Sequence, residues 1–383
     1  MIGMSAVIFI PDDTAKTGYP QPLMLQSVMG APLLAWLANA LFDSGVGRFF
    51  LVCHDRYVEA ARACLPAEAE VMTTMDSDPA DLLHVFLSTA EDAEHTITVV
   101  TGPAVYLPQL APQAAGRFPR VREELMQALD EHFSFARFLL DNGSPMNEEQ
   151  AMYSVASPAE LPEIAGLLQR NRLLALARTG VEIYDASSCY VEPSVRVAPG
   201  ARLLPGTMLR GKTVIGEEAV IGPWSVIDDS VIGARAVVNA SQVRESRVGQ
   251  DAVVGPYASV RGGCELGRSV RAGSFVELKN ARLGENTQVP HLAYLGDTEA
   301  GANCNFGCGV ATANFDRVQK HETVVGEGAF IGCNTALIAP LQVGSGAYIG
   351  AGSTITEDVP AQALGIARAR QSNKKEWAAK HKK

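Results

Sequence analysis

No apolar run in the chain approaches the ~18 residues of a bilayer-spanning helix, so no membrane span is expected. A basic leader with a small-residue cleavage site is missing too. The start, "MIGMSAVIFIPDD", runs directly into a folded-looking strand, and the protein is expected to stay in the cytoplasm. Its 7 cysteines make no CxxC pair and no zinc spacing. That argues against a disulfide scaffold or a structural zinc site, and most of them should be small buried hydrophobes. Basic charge is short as well, with 32 Lys and Arg against 42 Asp and Glu. The acid is concentrated in residues 1–180, which hold 11 basic and 22 acidic side chains, whereas residues 181–383 hold 21 and 20. The acidic half argues against nucleic acid as a partner. The near-neutral half, ending in the basic "SNKKEWAAKHKK", could receive a polyanionic small ligand or simply carry a solvated tail. What remains is 383 residues, 47% hydrophobic and 19% charged, enough for two or three domains with cores of their own.

From Val191 an aliphatic residue returns at every sixth position: Val197, Leu203, Leu209, Ile215, Ile221, Ile227. After a five-residue step the beat resumes at Ile232 and Val238. It then runs Val248, Val254, Val260, Leu266, Ala272, Leu278, and again Val325, Ile331, Leu337, Val343, Ile349, Ile355. Glycine often follows the aliphatic residue, and a small residue often stands four after it. A period of six fits neither a helix at 3.6 nor a plain sheet at 2. It is the hexapeptide signature of a left-handed parallel β-helix, in which three hexads make one coil and coils stack into a prism. Residues 1–112 read differently. "AVIFI", "FFLVCH" and "TITVV" are compact strands, and "GAPLLAWLANALFDSG" and "DLLHVFLSTAED" are amphipathic helices between them. This is an α/β domain with a parallel sheet. Residues 120–140 and 158–178 read as helices, and "DNGSPMNEEQ" as a loop, so 113–180 is a helical continuation leading to the β-helix at 181–367 and a basic tail at 368–383.

The beat also acts as a ruler. The hexad start and the position four after it point inward; the other positions point out. His291, second after Val289, therefore faces outward, and Cys308, second after Phe306, lies one coil further on the same strip. Arg261 follows Val260 and Lys279 follows Leu278, so both occupy one position on consecutive coils, about 4.8 Å apart. Stacked cations repel unless an anion lies between them; Glu277 or a bound phosphate could serve. Between Thr312 and Val325 the beat lapses, so "ANFDRVQKHETV" must bulge as a loop, either a tolerated insertion or a binding loop offering Asn314, Phe315 and Lys320.

At these residues the sequence resembles the acetyltransferase half of the bifunctional N-acetylglucosamine-1-phosphate uridyltransferase/glucosamine-1-phosphate acetyltransferase family. The resemblance runs from "GPYASVRGGCELG" through "HLAYLGD" and "NCNFGCGVATANFDR" to "ALGIARARQSNKKEW". It implies a homotrimer with active sites between subunits, acting on glucosamine-1-phosphate and acetyl-CoA for UDP-N-acetylglucosamine and cell-wall synthesis, with no metal needed for acetyl transfer. It implies His291 as the base, with Arg261, Lys279, Tyr294 and Asn305 holding the sugar phosphate and Lys320 lending charge. Contacts to acetyl-CoA would fall at Cys308, Asn314, Phe315, Cys333, Ala351 and Arg368. Three of these depart from the family pattern: Phe315 replaces a tyrosine, Cys333 a serine and Cys308 an alanine.

The first half resembles the same family's nucleotidyltransferase domain in reduced form. "PDDTAKTG" stands where a glycine-rich phosphate loop belongs, and Gln21 where a lysine is expected. Pro103 and Ala156 stand where an Asp and an Asn should bind Mg²⁺, and neither side chain offers oxygen. Uridylyl transfer is therefore expected to be lost. Two rival readings stay open: a same-fold acetyltransferase for another amino sugar or sugar nucleotide, and a non-catalytic regulatory or scaffold protein.

Overall fold

The computed structural model describes residues 4–74, 82, 85–86, 97–100, 102–110 and 151–381. The helix expected at 120–140 and the loop at 141–150 lie outside the described residues, as does most of the helix expected at 81–92. The chain divides into two compact units, Met1–Arg196 with Leu209–Lys212, and Val197–Met208 with Thr213–Lys383.

The first unit carries an all-parallel four-stranded sheet. Its strands are β1 (Met4–Ile10), β2 (Val46–Cys53), β3 (Glu70–Thr74) and β4 (Ile97–Val100), in the order β3-β2-β1-β4. Helix α1 (Leu33–Asp43) crosses between β1 and β2, as a parallel pair requires. Leu33, Leu34, Trp36, Leu37 and Leu41 of α1 are buried with Ile8, Ile10, Phe49 and Leu51 of the sheet. Buried Trp36 satisfies its indole by donating from Nε1 to the Val28 carbonyl at 2.9 Å. Helix α2 (Leu161–Arg178) fills most of the 158–178 stretch, the residues before it forming a 3₁₀ turn.

The loop after β1 is occupied by its own side chains. Asp13 Oδ1 accepts from the Leu23 amide at 2.9 Å, and Asp12 accepts from the Thr14 hydroxyl at 2.7 Å and pairs with Arg56. The Thr14 hydroxyl bond holds the Asp12 carboxyl below its ordinary value. Pro103 and Ala156 come close together, since the Val155 amide donates to the Pro103 carbonyl at 2.8 Å.

The second unit is a parallel β-helix. Hexad starts and the positions four after them are buried alike: Val260 and Cys264, Leu266 and Val270, Ala272 and Val276. Both positions fill the prism interior, the second with residues no larger than valine in these three hexads. Strands β5 (Ser259–Arg261), β6 (Arg271–Leu283) and β7 (Gln288–Ala300) stack in register. Ser259 lies opposite Glu277, a coil of 18 residues (277 − 259). Val226 lies opposite Gln242, a coil of 16 (242 − 226), because two of its steps are five residues long. Asn305 lies opposite Phe330, a coil of 25 (330 − 305) that contains the expected bulge.

One corner of the prism carries an apolar ridge. Trp224, Ala240, Tyr257, Phe275 and Leu292 all sit at positive φ there, a conformation that bulky side chains adopt at a cost of ~1–3 kcal/mol each. Four of these side chains are exposed, Trp224 by 72% and Tyr257 by 63%, and the Tyr257 and Phe275 rings stack at 5.4 Å. Among the described residues, no helix is long and apolar enough to cross a membrane.

Candidate functional site

Two clusters of outward side chains lie on adjacent faces of the prism, separated by the apolar ridge. The first is a column. Strand pairing places Ser274 opposite His291, and the ladder continues through Cys308 and Cys333 to Ala351. His291, Cys308, Cys333 and Ala351 are exposed, as the hexad ruler requires. Asn305 stands on the same face, three residues before Cys308 and opposite Gln288. Arg368 follows the last strand, and its Cδ comes within 3.7 Å of where a methyl on Gly352 would be, beside Ala351.

The second cluster is a patch of charge. Arg261 pairs in register with Lys279, and Glu277 lies between Ser259 and Tyr294 on the neighbouring strands. The Arg261 guanidinium donates to Glu277, so that carboxylate supplies part of the compensation stacked cations need. It does not compensate Lys279. Lys320 approaches Lys279 closely, and this second ammonium, with Arg261 behind it, holds the Lys279 ammonium below its ordinary pKa; Asp297 opposes the shift without cancelling it. Three cations against two carboxylates leave a patch whose charge an incoming anion would relieve.

Lys320 gets there by way of the bulge. Residues 314–321 form a small hairpin in which Phe315 bridges Lys320 and the His321 amide donates to the Asn314 carbonyl at 2.8 Å. Asp316 closes it. Its Oδ1 accepts from the Val318 and Gln319 amides, both at 2.8 Å, and its Oδ2 meets His321 Nε2 at 2.7 Å. These bonds hold the Asp316 carboxyl far below the ordinary carboxylate range. Phe315 stays 62% exposed at the hairpin edge, with its ring available to a ligand.

A residue that sequence reasoning passed over anchors the patch. Asp297 accepts from Asn280 Nδ2 at 2.6 Å on the coil before it and from Asn314 Nδ2 on the coil after it. The signal was present in the spacing, since 280, 297 and 314 are each 17 apart. Asn314 is thereby mostly buried and turned toward this anchor. Gly296 leaves room for its neighbours: a methyl at that position would lie 2.4 Å from the Tyr294 hydroxyl and 2.8 Å from Asn314 Nδ2 as they now stand. Tyr294 thus lies folded across the strand toward the hairpin. The structure brings Arg261, Lys279, Tyr294, Asn314 and Lys320 together on one face and His291, Asn305, Cys308, Cys333, Ala351 and Arg368 on the next. His291 and Tyr294 stand three residues apart on β7, one on each side of the ridge.

A family match agrees with the hexapeptide architecture of the second unit. Residues 322–357 match the family of bacterial transferase hexapeptide (six repeats). The chain is 41% identical over 240 residues to the bifunctional protein GlmU of Clostridium perfringens, covering 63% of this chain and 53% of that one. It is 43% identical over 237 residues to GlmU of Clostridium kluyveri, covering 62% and 52%. The chain thus spans about half the length of the curated relatives it matches. Among solved structures, LpxA from Acinetobacter baumannii is similar at 17% identity and a TM-score of 0.28, covering 49% of this chain and 71% of that one.

Proposed function

We propose that this chain transfers the acetyl group of acetyl-CoA to the amine of glucosamine-1-phosphate, and that a neighbouring copy completes each site. The observation that carries the reading is the Arg261, Lys279 and Lys320 patch, whose mutual repulsion lowers the Lys279 pKa and suits it to a phosphate. A sugar phosphate held there by Tyr294 and the cations needs a base, and His291 stands one face away, exposed and outward.

In this reading His291 takes the proton of the attacking amine as a general base. Nitrogen attacks the thioester carbonyl. The tetrahedral oxyanion is met by backbone N–H or Asn donors, and coenzyme A leaves as its thiol. Much of the acceleration comes from holding the two substrates together. Cys308, Asn314, Phe315, Cys333, Ala351 and Arg368 are the contacts for the coenzyme.

The exposed apolar ridge between the two clusters supports a homotrimer. When a closed ring forms, one copy's base column faces the next copy's cation patch, and the apolar ridge between the clusters becomes covered. The first unit we read as a relic without uridylyl transfer, because Pro103 and Ala156 offer no side-chain oxygen and the loop after β1 is filled by Asp12 and Asp13. The test is direct: purified chain, acetyl-CoA and glucosamine-1-phosphate, with coenzyme A release and the acetylated sugar phosphate as readouts. Turnover is expected without added metal. Activity abolished by EDTA and restored by Mg²⁺ would count against the reading, as would equal turnover with amino sugars lacking the phosphate.

A further inference from the structure

Of the seven cysteines, Cys53, Cys64, Cys189, Cys264 and Cys304 are buried, and burial pushes the thiols of Cys64, Cys264 and Cys304 up, that of Cys64 to about 12. Cys308 and Cys333 are exposed. They are also ladder neighbours. Phe306 pairs with Ile331, the Gly307 amide donates to the Ile331 carbonyl at 2.8 Å, and the Asn334 amide donates to the Cys308 carbonyl at 2.7 Å. Cys308 is thus opposite Cys333 on consecutive coils. Parallel strands lie about 4.8 Å apart, inside the ~4.4–6.8 Å Cα separation that a disulfide spans. The sulfur of Cys333 leans back over the earlier coil, since a methyl on Gly307 would come within 3.0 Å of it. Gly307 leaves the room that this requires.

We propose that Cys308 and Cys333 are a reversible oxidative modification site, a dithiol that closes into a disulfide across two coils and shuts the coenzyme strip. The closing part rests on the acetyl-CoA reading above; the couple itself does not. The oxidant is a low-molecular-weight disulfide. One cysteine thiolate attacks it, its S–S bond breaks and one small thiol leaves. The second cysteine thiolate attacks the mixed disulfide and releases the other small thiol. Two protons pass from the cysteines to the released thiols, the protein pair loses two electrons and the small disulfide gains them. The new bond ties the strip between His291 and Ala351, where the thioester end of the coenzyme would lie, and removes both exposed sulfurs from it.

The probe is oxidised glutathione applied to the full reduced chain. Native thiol titration should fall from two reactive groups to none. Intact mass should fall by two hydrogens with no glutathione retained, and a tryptic fragment should link the two cysteines. Cys308→Ala and Cys333→Ser should each instead retain one glutathione. Wild-type protein that keeps glutathione on both cysteines, or a linked fragment lacking either residue, overturns the couple. Oxidised wild type should lose acetyl transfer and regain it with dithiothreitol, each variant being judged against its own reduced form. A fully formed disulfide with undiminished acetyl transfer overturns the closing of the strip. A reduced protein without any acetyl transfer would sink the functional reading, while thiol count and mass still decide the couple.

Discussion

At the scale of single residues, His291 and Lys279 should fail in different ways. Removing the base leaves the cation patch intact, so His291→Ala should lower kcat by roughly 10²–10⁴ with little change in KM. Lys279→Ala should mainly raise KM for the sugar phosphate, by roughly ten- to a hundredfold. Salt should weaken wild-type sugar-phosphate binding, and weaken it less in this variant. The pH behaviour follows from the lowered Lys279 pKa and its first cause, Lys320. Affinity depends on the charged ammonium, so it is full below that pKa and falls as the pH rises through it. Lys320→Ala removes the repulsion, and the fall in a KM-against-pH profile should move to higher pH. A fall that stays in place would contradict the proximity of the two lysines. Much of this was legible in advance. The 18-residue spacing of 261 and 279 put two cations on one ladder position, and the two-residue offset of His291 from Val289 turned it outward. Lys320 beside Lys279 was not legible, because a hairpin's path depends on bonds such as those of Asp316 that no periodicity encodes. Asp297 could have been found by applying the same ruler to polar residues as to aliphatic ones.

At the scale of the element, the 314–321 hairpin is an insertion disciplined by one carboxylate. Asp316→Asn weakens its hold on the Val318 and Gln319 amides and loses the pairing with His321. The hairpin should then open more often, and trypsin should cut after exposed Arg317 sooner than in wild type. KM for the sugar phosphate should rise a few-fold, and KM for acetyl-CoA with it, since Lys320 and its bridged partner Phe315 are displaced together. Because the Asp316 pKa is depressed on folding, its contribution is full above the ordinary ~3.9 and is lost as the pH falls through the depressed value. Wild-type hairpin protection from an acid-active protease should therefore outlast that of the variant. The β-helix was readable from sequence because its core repeats a single steric demand coil after coil, and one of the two short steps of the 16-residue coil showed between Ile227 and Ile232. The parallel sheet of the first unit was readable from three apolar runs, but β3 was not, since "EVMTT" is short and only partly apolar.

At the scale of the whole molecule, the solution state should be a trimer by light scattering, and full activity in a stable monomer would sink the shared-site reading. Phe275→Glu places a charge on the ridge, changing no residue of either cluster, and should shift the population toward monomer with activity lost in parallel. The protein should release no pyrophosphate from UTP and N-acetylglucosamine-1-phosphate, with or without Mg²⁺; release above a no-enzyme control would overturn the relic reading of the first unit. Periodicity assigns side chains to faces but says nothing of what lies across from them, so sites between subunits were expected from the resemblance alone. The ridge also gives the molecule an optical gauge. Of its three tryptophans, Trp36 is 3% exposed and Trp377 stands in the basic tail, while Trp224 projects from the ridge. On the trimer reading, Trp224 is the indole that should pass from a covered surface into water as copies separate on dilution, so its emission should move to the red and read out the association constant without a label.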